Sequence, residues 1–204
     1  MTDMPGIPSL GVVLLAAGPS SRLGQPKQLV RVEGECLVSR AARLALSLNP
    51  AFVTAVTGFE ADRIEAELEQ LPVGIVYNRN LSRGMGASIN CGVRSIHTGV
   101  EGILIMVCDQ WRLEESDLAR LFNAWSSDIS RIVVASWKEG SAYVSGPPVI
   151  FPRKLIPELK SMQENRGARQ LIDRCMDIVD YVEMEKAAHD LDRPEDLEWL
   201  RNHG

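Results

Sequence analysis

Cysteine is scarce in this sequence and poorly placed for cross-linking: Cys36, Cys91, Cys108 and Cys175 include no CxxC pair and join no Cys/His cluster of zinc-ligand spacing. That excludes a disulfide framework and a structural zinc site, and the four thiols read as reduced residues in or near a core. Long apolar runs are missing too. Nowhere do 18 apolar residues follow one another, and Met1 to Leu10 carries an Asp and two Pro rather than a basic start followed by an apolar stretch. The expected location is therefore cytoplasmic, with no membrane partner. Positive charge is not in excess either, since 22 Lys and Arg face 27 Asp and Glu for a net charge of -5. No nucleic-acid partner is expected, and any phosphate the protein holds must be gripped locally. Internal repeats and low-complexity segments are absent.

What the chain does have is apolar content and alternation. With 45% hydrophobic residues in 204, there is material for one sizeable core, and a single domain over 1–204 is the expectation. A branched run, Val12 to Leu15, ends in a Gly/Ser/Pro loop, as a buried parallel strand does when it leads into a functional turn. Val38, Ala41, Ala42, Ala45 and Leu48 then recur at helical spacing. Strands are expected at 52–56, 73–77, 103–107, 132–135 and 178–182, with helical patterns around Ile64, Ile89, Leu121, Leu155 and Leu171. A terminal helix is expected from Pro194. The stretch 140–148, rich in Gly, Ser and Pro, reads as irregular, with a short apolar run at 149–151 behind it. Regular alternation of this kind predicts a three-layer α/β/α arrangement, Rossmann-like, around a mostly parallel sheet. Ligands in such sheets bind at the carboxyl ends of strands, and the two richest polar clusters follow Leu15 and Val107.

The first cluster, Gly18 to Lys27, offers successive backbone amides, two hydroxyls, and the cations Arg22 and Lys27 directly after a strand. That composition suits a polyphosphate. It is neither a Walker loop nor a GxGxxG fingerprint: five residues separate Gly18 from Gly24, and no GK[ST] ending follows. Arg22 can fork onto phosphate oxygens while Lys27 supplies a movable point charge.

The run L-A-A-G-x-S-S-R-x-G-x-P-K-Q-L, beginning at Leu15, resembles the signature loop of the MobA-like nucleotidyltransferases, most closely the molybdenum cofactor cytidylyltransferase branch. Further segments resemble that family: Asn78 with Gly84-Met85-Gly86-Ala87-Ser88, Cys108-Asp109-Gln110, Gly146-Pro147-Pro148, Arg166-Gly167-Ala168-Arg169, and Asp190-Leu191-Asp192-Arg193-Pro194. The resemblance implies the nucleotide-diphospho-sugar transferase type of sheet. It also implies a nucleotide site made by Leu15, Ala16, Ala17, Gly18, Arg22, Lys27, Asn78 and Ser88, with Arg22, Lys27 and Asp109 as the catalytic set. The implied reaction joins CTP to a molybdopterin-type acceptor and releases pyrophosphate, and the implied clients are apoenzymes of the xanthine dehydrogenase family.

Such a transfer needs alignment and charge cancellation more than covalent help. Mg²⁺ provides the second while held by one or two carboxylates. Asp109, at the end of a buried strand, is placed for one ligand, and Asp192 is the second by resemblance, with Asp190 in reserve. Each has a plainer role open to it, as turn or cap residues. The resemblance weakens on the acceptor side. The family's DQP reads Asp109-Gln110-Trp111, its GDxGAR reads Glu164-Asn165-Arg166-Gly167-Ala168-Arg169, and its GHP reads Gly146-Pro147-Pro148. Two rivals stand beside the transferase: a non-catalytic accessory protein that holds molybdenum cofactor, and an oxidoreductase of the nicotine-blue type.

Overall fold

The computed structural model describes residues 6–80, 84–96, 99–162 and 167–203. A seven-stranded sheet forms its middle layer. β1 (Leu10–Leu15), β4 (Phe52–Thr57), β5 (Gly74–Tyr77) and β6 (Gly102–Val107) lie parallel. β7 (Ile132–Glu139), β8 (Ala142–Pro152) and β9 (Val179–Glu183) complete the order β5-β4-β1-β6-β8-β7-β9. Only β8 runs against its neighbours. The two remaining strands, β2 (Arg31–Val32) and β3 (Glu35–Cys36), make a separate small hairpin.

All six residues of β1 are buried, as they must be where helices cover both faces of a sheet. Val12 and Leu14 point into one apolar layer with α1 (Leu37–Leu46), α2 (Ala61–Leu68) and α4 (Glu115–Ser127). Val13 and Leu15 point into the other, with α3 (Met85–Arg94), α5 (Ile156–Lys160) and α6 (Arg169–Arg174). The period of two along the strand thus sorts one apolar run into two cores. Helix α3 sits close on the sheet because Gly92 has no side chain: a Cβ there would lie 2.4 Å from a Val13 methyl. The chain closes on α7 (Pro194–His203).

The stretch 140–148 is not irregular. Residues 142–152 form one eleven-residue strand that pairs with β7 along 142–146 and again at 149–150, and with β6 along 149–152, and this pairing overrides a local composition that favours turns. Its prolines are accommodated at a shift of register: Gly146 faces Ala135, Val149 faces Val134, and Pro147 and Pro148 lie between. The β2–β3 hairpin was not expected from the sequence, since two-residue strands carry no readable period. Cys36 and Cys108 are buried, Cys91 and Cys175 half-buried, and all four are free thiols. Among the described residues no helix is long and apolar enough to cross a membrane.

Candidate active site

The ends of β1 and β6 lie side by side, Leu15 opposite Val107, so the segments that follow them share one edge of the sheet. After β1 the chain stays pinned to β4 for one more residue, the Ala16 amide donating to the Val56 carbonyl at 2.9 Å, and then turns away. A single-turn helix at Lys27–Leu29 brings the loop back. From that turn Gln28, 1% exposed, reaches under the loop and donates to the carbonyls of Ala16 (2.9 Å) and Gly18 (2.8 Å). Ser20 links the two ends, its hydroxyl donating to Gln28 Oε1 and accepting from the Lys27 amide at 3.1 Å.

Lys27 is the centre of charge. Its ammonium pairs with Asp109, 82 residues away, and with Asp192 Oδ1 at 2.9 Å, 165 residues away. Burial pushes the Lys27 ammonium toward losing its proton, but the two carboxylates outweigh it and hold the pKa above that of an ordinary lysine. Burial likewise pushes the Asp192 carboxyl up, and Lys27 and Arg22 overcome it and keep it below the usual range. Arg22 donates to Asp192 Oδ2 at 2.7 Å from a side chain that is 69% exposed. The C-terminal segment is fastened to the end of β6, which is why Asp192 meets Asp109. Leu191 donates to the Asp109 carbonyl at 3.0 Å, Asp190 bridges to Gln110, and the Gln110 carboxamide donates to the carbonyls of Pro147 and Ala187 at 2.8 Å each. The bulge at Pro147 in β8 thereby takes part in the site. Asp190 lies outside the lysine's hydrogen bonds. Burial, and then the like charge of Asp109, push its carboxyl up to about 7.

Between the loop and the β6 end is a cavity of about 270 Å³, lined among others by Leu15, Ala17, Gly18, Lys27, Ser88 and Asp109. Larger clefts exist, one of about 900 Å³ beside Tyr77 and Arg94, but the smaller one collects the strand-end residues. Of the residues expected at a nucleotide site, three do not line it. Ala16 is buried beneath the loop and offers its carbonyl to Gln28. Arg22 stands outside, on Asp192. Asn78 is buried behind Ser88 and donates to that hydroxyl at 3.0 Å, so it acts on the cavity through Ser88. Sequence reasoning counted the Ser20 hydroxyl only as part of the loop and assigned no role to Gln28 or to Met85, which also lines the cavity. Gln28 belonged to the quoted loop motif, yet nothing in its neighbours shows that a carboxamide there is buried. Glu164, Asn165 and Arg166, the altered acceptor segment, lie outside the described residues.

The fit of a divalent cation can be tested on the carboxylates. Asp109 Oδ1 is buried and accepts no hydrogen bond among the described residues, while Oδ2 is taken by Lys27. An orphaned carboxylate oxygen at the cavity wall suits a cation. Among the described residues no group of three or more His, Cys, Asp or Glu is arranged to hold a metal, so a closed protein cage is not what is built. Two carboxylates, leaving most positions to water and phosphate, is the donor set magnesium accepts.

The MobA-like NTP transferase domain family matches residues 12–179. Purine catabolism protein PucB of Bacillus subtilis is 28% identical over 95% of this chain and 97% of its own length. Bifunctional protein GlmU of Streptomyces griseus is 29% identical over 78% of this chain, which spans only 35% of GlmU. Among solved structures, Rv0371c of Mycobacterium tuberculosis superposes with a TM-score of 0.81 at 24% identity, over 95% of this chain and 97% of that one. A complex of Rv0371c with manganese gives a TM-score of 0.77 at 20% identity, over 96% and 100% of the two chains. These likenesses in structure establish a shared fold. With four-fifths of its length matched, from the β1 strand through the phosphate-type loop to the start of β9, this chain belongs to the MobA-like NTP transferase domain family and is a nucleotidyltransferase.

Proposed function

We propose that this chain, acting as one domain in the cytoplasm, transfers CMP from CTP to the phosphate of a molybdopterin-type acceptor, with Mg²⁺ held by Asp109 and Asp192. The observation that carries the reading is the convergence of Asp109 and Asp192 on Lys27, beside a cavity that Lys27, Asp109 and the β1 loop line. A nucleoside triphosphate laid along that loop meets Lys27, and the ammonium exchanges a carboxylate for phosphate oxygens. Asp109 and Asp192 would hold the cation, and Mg²⁺ would supply charge neutralisation at the phosphates. Arg22 closes over the triphosphate from outside. Ser88, oriented by Asn78, faces the nucleoside. An acceptor phosphate oxygen then forms a bond to the α-phosphorus as the bond to the bridging oxygen breaks, and pyrophosphate leaves. Alignment and charge stabilisation supply most of the acceleration.

Support for CTP comes from the resemblance of the loop and from Ala17, whose methyl narrows the cavity wall. Support for a xanthine dehydrogenase-type client comes from PucB, a purine catabolism protein. The test is pyrophosphate release from each of the four nucleoside triphosphates with Mg²⁺, with and without molybdopterin cofactor. Release that needs both CTP and the cofactor is the expected result. Tight cofactor binding with no release from any triphosphate would instead support the accessory-protein reading.

A further inference from the structure

We infer that Gln28 is a positioning residue that converts the β1 loop into an anion cradle; the inference rests on the transferase reading above. In a trans peptide the carbonyl and the following amide point in opposite directions. Three successive carbonyls of the loop are held by the protein: Ala16 by Gln28 at 2.9 Å, Ala17 by the Phe59 amide at 3.1 Å, and Gly18 by Gln28 at 2.8 Å. Their partners in the same peptide planes are the amides of Ala17 and Gly18 and the ring nitrogen of Pro19, which has no hydrogen. Among the described residues no protein group accepts from the Ala17 or Gly18 amide, and both residues line the cavity.

Two of the three carbonyl anchors therefore come from one buried carboxamide, which spends both Nε2 hydrogens on them. Without it, the Gly18–Pro19 peptide has nothing to keep its carbonyl dipole away from the triphosphate. Gln28 also ties in the backbone of Lys27. Its Oε1 accepts from Ser20, and the Ser20 hydroxyl accepts from the Lys27 amide, so the loop amides and the Lys27 backbone share one network. A side chain that merely held the loop together would lower stability and affect every ligand alike. A side chain that aims amides acts on phosphate selectively.

The experiment compares wild type with Gln28→Met, which keeps the length and removes both donors. Affinities for CTP with Mg²⁺, for inorganic tripolyphosphate and for cytidine are measured alongside Tm. CTP and tripolyphosphate are expected to bind at least tenfold more weakly in the variant, with cytidine changed less than threefold. Equal losses for cytidine and CTP, or no loss for either, overturn the inference. A wild-type protein that binds tripolyphosphate but no nucleoside triphosphate overturns the transferase reading and leaves the cradle standing; one that binds neither overturns both. If Gln28→Met does not fold, Ser20→Ala carries the same comparison. There a loss of threefold or more for CTP alone supports the network, and an unchanged CTP affinity refutes it.

Discussion

Replacing Gly18 by alanine is expected to strengthen the fold and weaken the site. Gly18 does not have a positive φ, and a Cβ built on it meets no protein atom within 4 Å. The backbone conformation is therefore open to alanine, and restricting the unfolded chain should stabilise the protein by about 0.4–1 kcal/mol. For a chain near this length that is a rise in Tm of roughly 1–4 °C. The same methyl projects into space beside the cavity that Gly18 lines, where phosphate has to come close to the loop amides. Losing one charge-assisted hydrogen bond costs about 1.5–3 kcal/mol, or roughly 10- to 150-fold in Kd. Gly92→Ala is the control of opposite sign. Its Cβ would sit 2.4 Å from a buried Val13 methyl and 2.8 Å from one of Val56, and overpacking of this kind costs about 1–3 kcal/mol. Thermal melts and calorimetric titration with CTP, Mg²⁺ present, read both effects. A Gly18→Ala protein that melts lower than wild type would refute the reading of its backbone as open to alanine, and one that binds CTP unchanged would refute the assignment of Gly18 to the ligand.

Asp109→Asn should lower turnover by at least about 10²-fold, the scale of losing one preorganised electrostatic group; normal turnover with normal Mg²⁺ dependence would contradict its role. Lys27→Met should weaken CTP binding by roughly tenfold or more, whereas Arg22→Gln, whose side chain is 69% exposed, should cost roughly fivefold or less, as solvent-screened pairs do. Cytidine binding should hardly change in either, and equal losses for cytidine and CTP would remove both cations from the phosphates. Lys27→Met should also melt lower, because it leaves the 10%-exposed Asp109 without its counter-charge. Ala17→Gly should raise kcat/KM for GTP relative to CTP by roughly tenfold or more without abolishing CTP use, since one methyl in a tight pocket carries about 1–3 kcal/mol of selectivity; an unchanged ratio would move base selection to the Asn78–Ser88 segment.

The parallel half of the sheet was legible because its strands are short apolar runs between helical periods, and burial on both faces leaves that signature in the residues themselves. β1, β4 and β6 lie within a residue or two of where apolar runs place them. β8 was not legible, because its partners decide it. Ser145-Gly146-Pro147-Pro148 has turn composition, and it is held in the strand by the β7 edge at Ser145 and Gly146 and by the pairing of Val149 onward with both β6 and β7. The sequence also conceals that the resulting bulge delivers the Pro147 carbonyl to Gln110, next to Asp109.

The same division runs through the site. Residues on one contiguous loop could be read together, but a side chain 165 residues away could be joined to them only by resemblance. The structure supplies the missing physical reason in the backbone: the Asp109 carbonyl and the Gln110 bridge hold the segment around Asp190 and Leu191, and Asp192 follows by connectivity. Ion pairing explains the rest. From the sequence, Arg22 and Lys27 are expected to meet phosphate and Asp109 and Asp192 a metal, two sets of opposite sign with two different partners. In the structure Lys27 pairs with Asp109 and Asp192, and the exposed Arg22 with Asp192; for the largely buried Lys27–Asp109 pair, desolvation of either partner alone would be costly. A triphosphate that arrived without a cation would take Lys27 and strand Asp109; a cation without the triphosphate would strand Lys27. On the proposed reading the metal–nucleotide complex would replace both partners at once, which would let a protein with a net charge of -5 hold a polyanion where cations and carboxylates are interleaved.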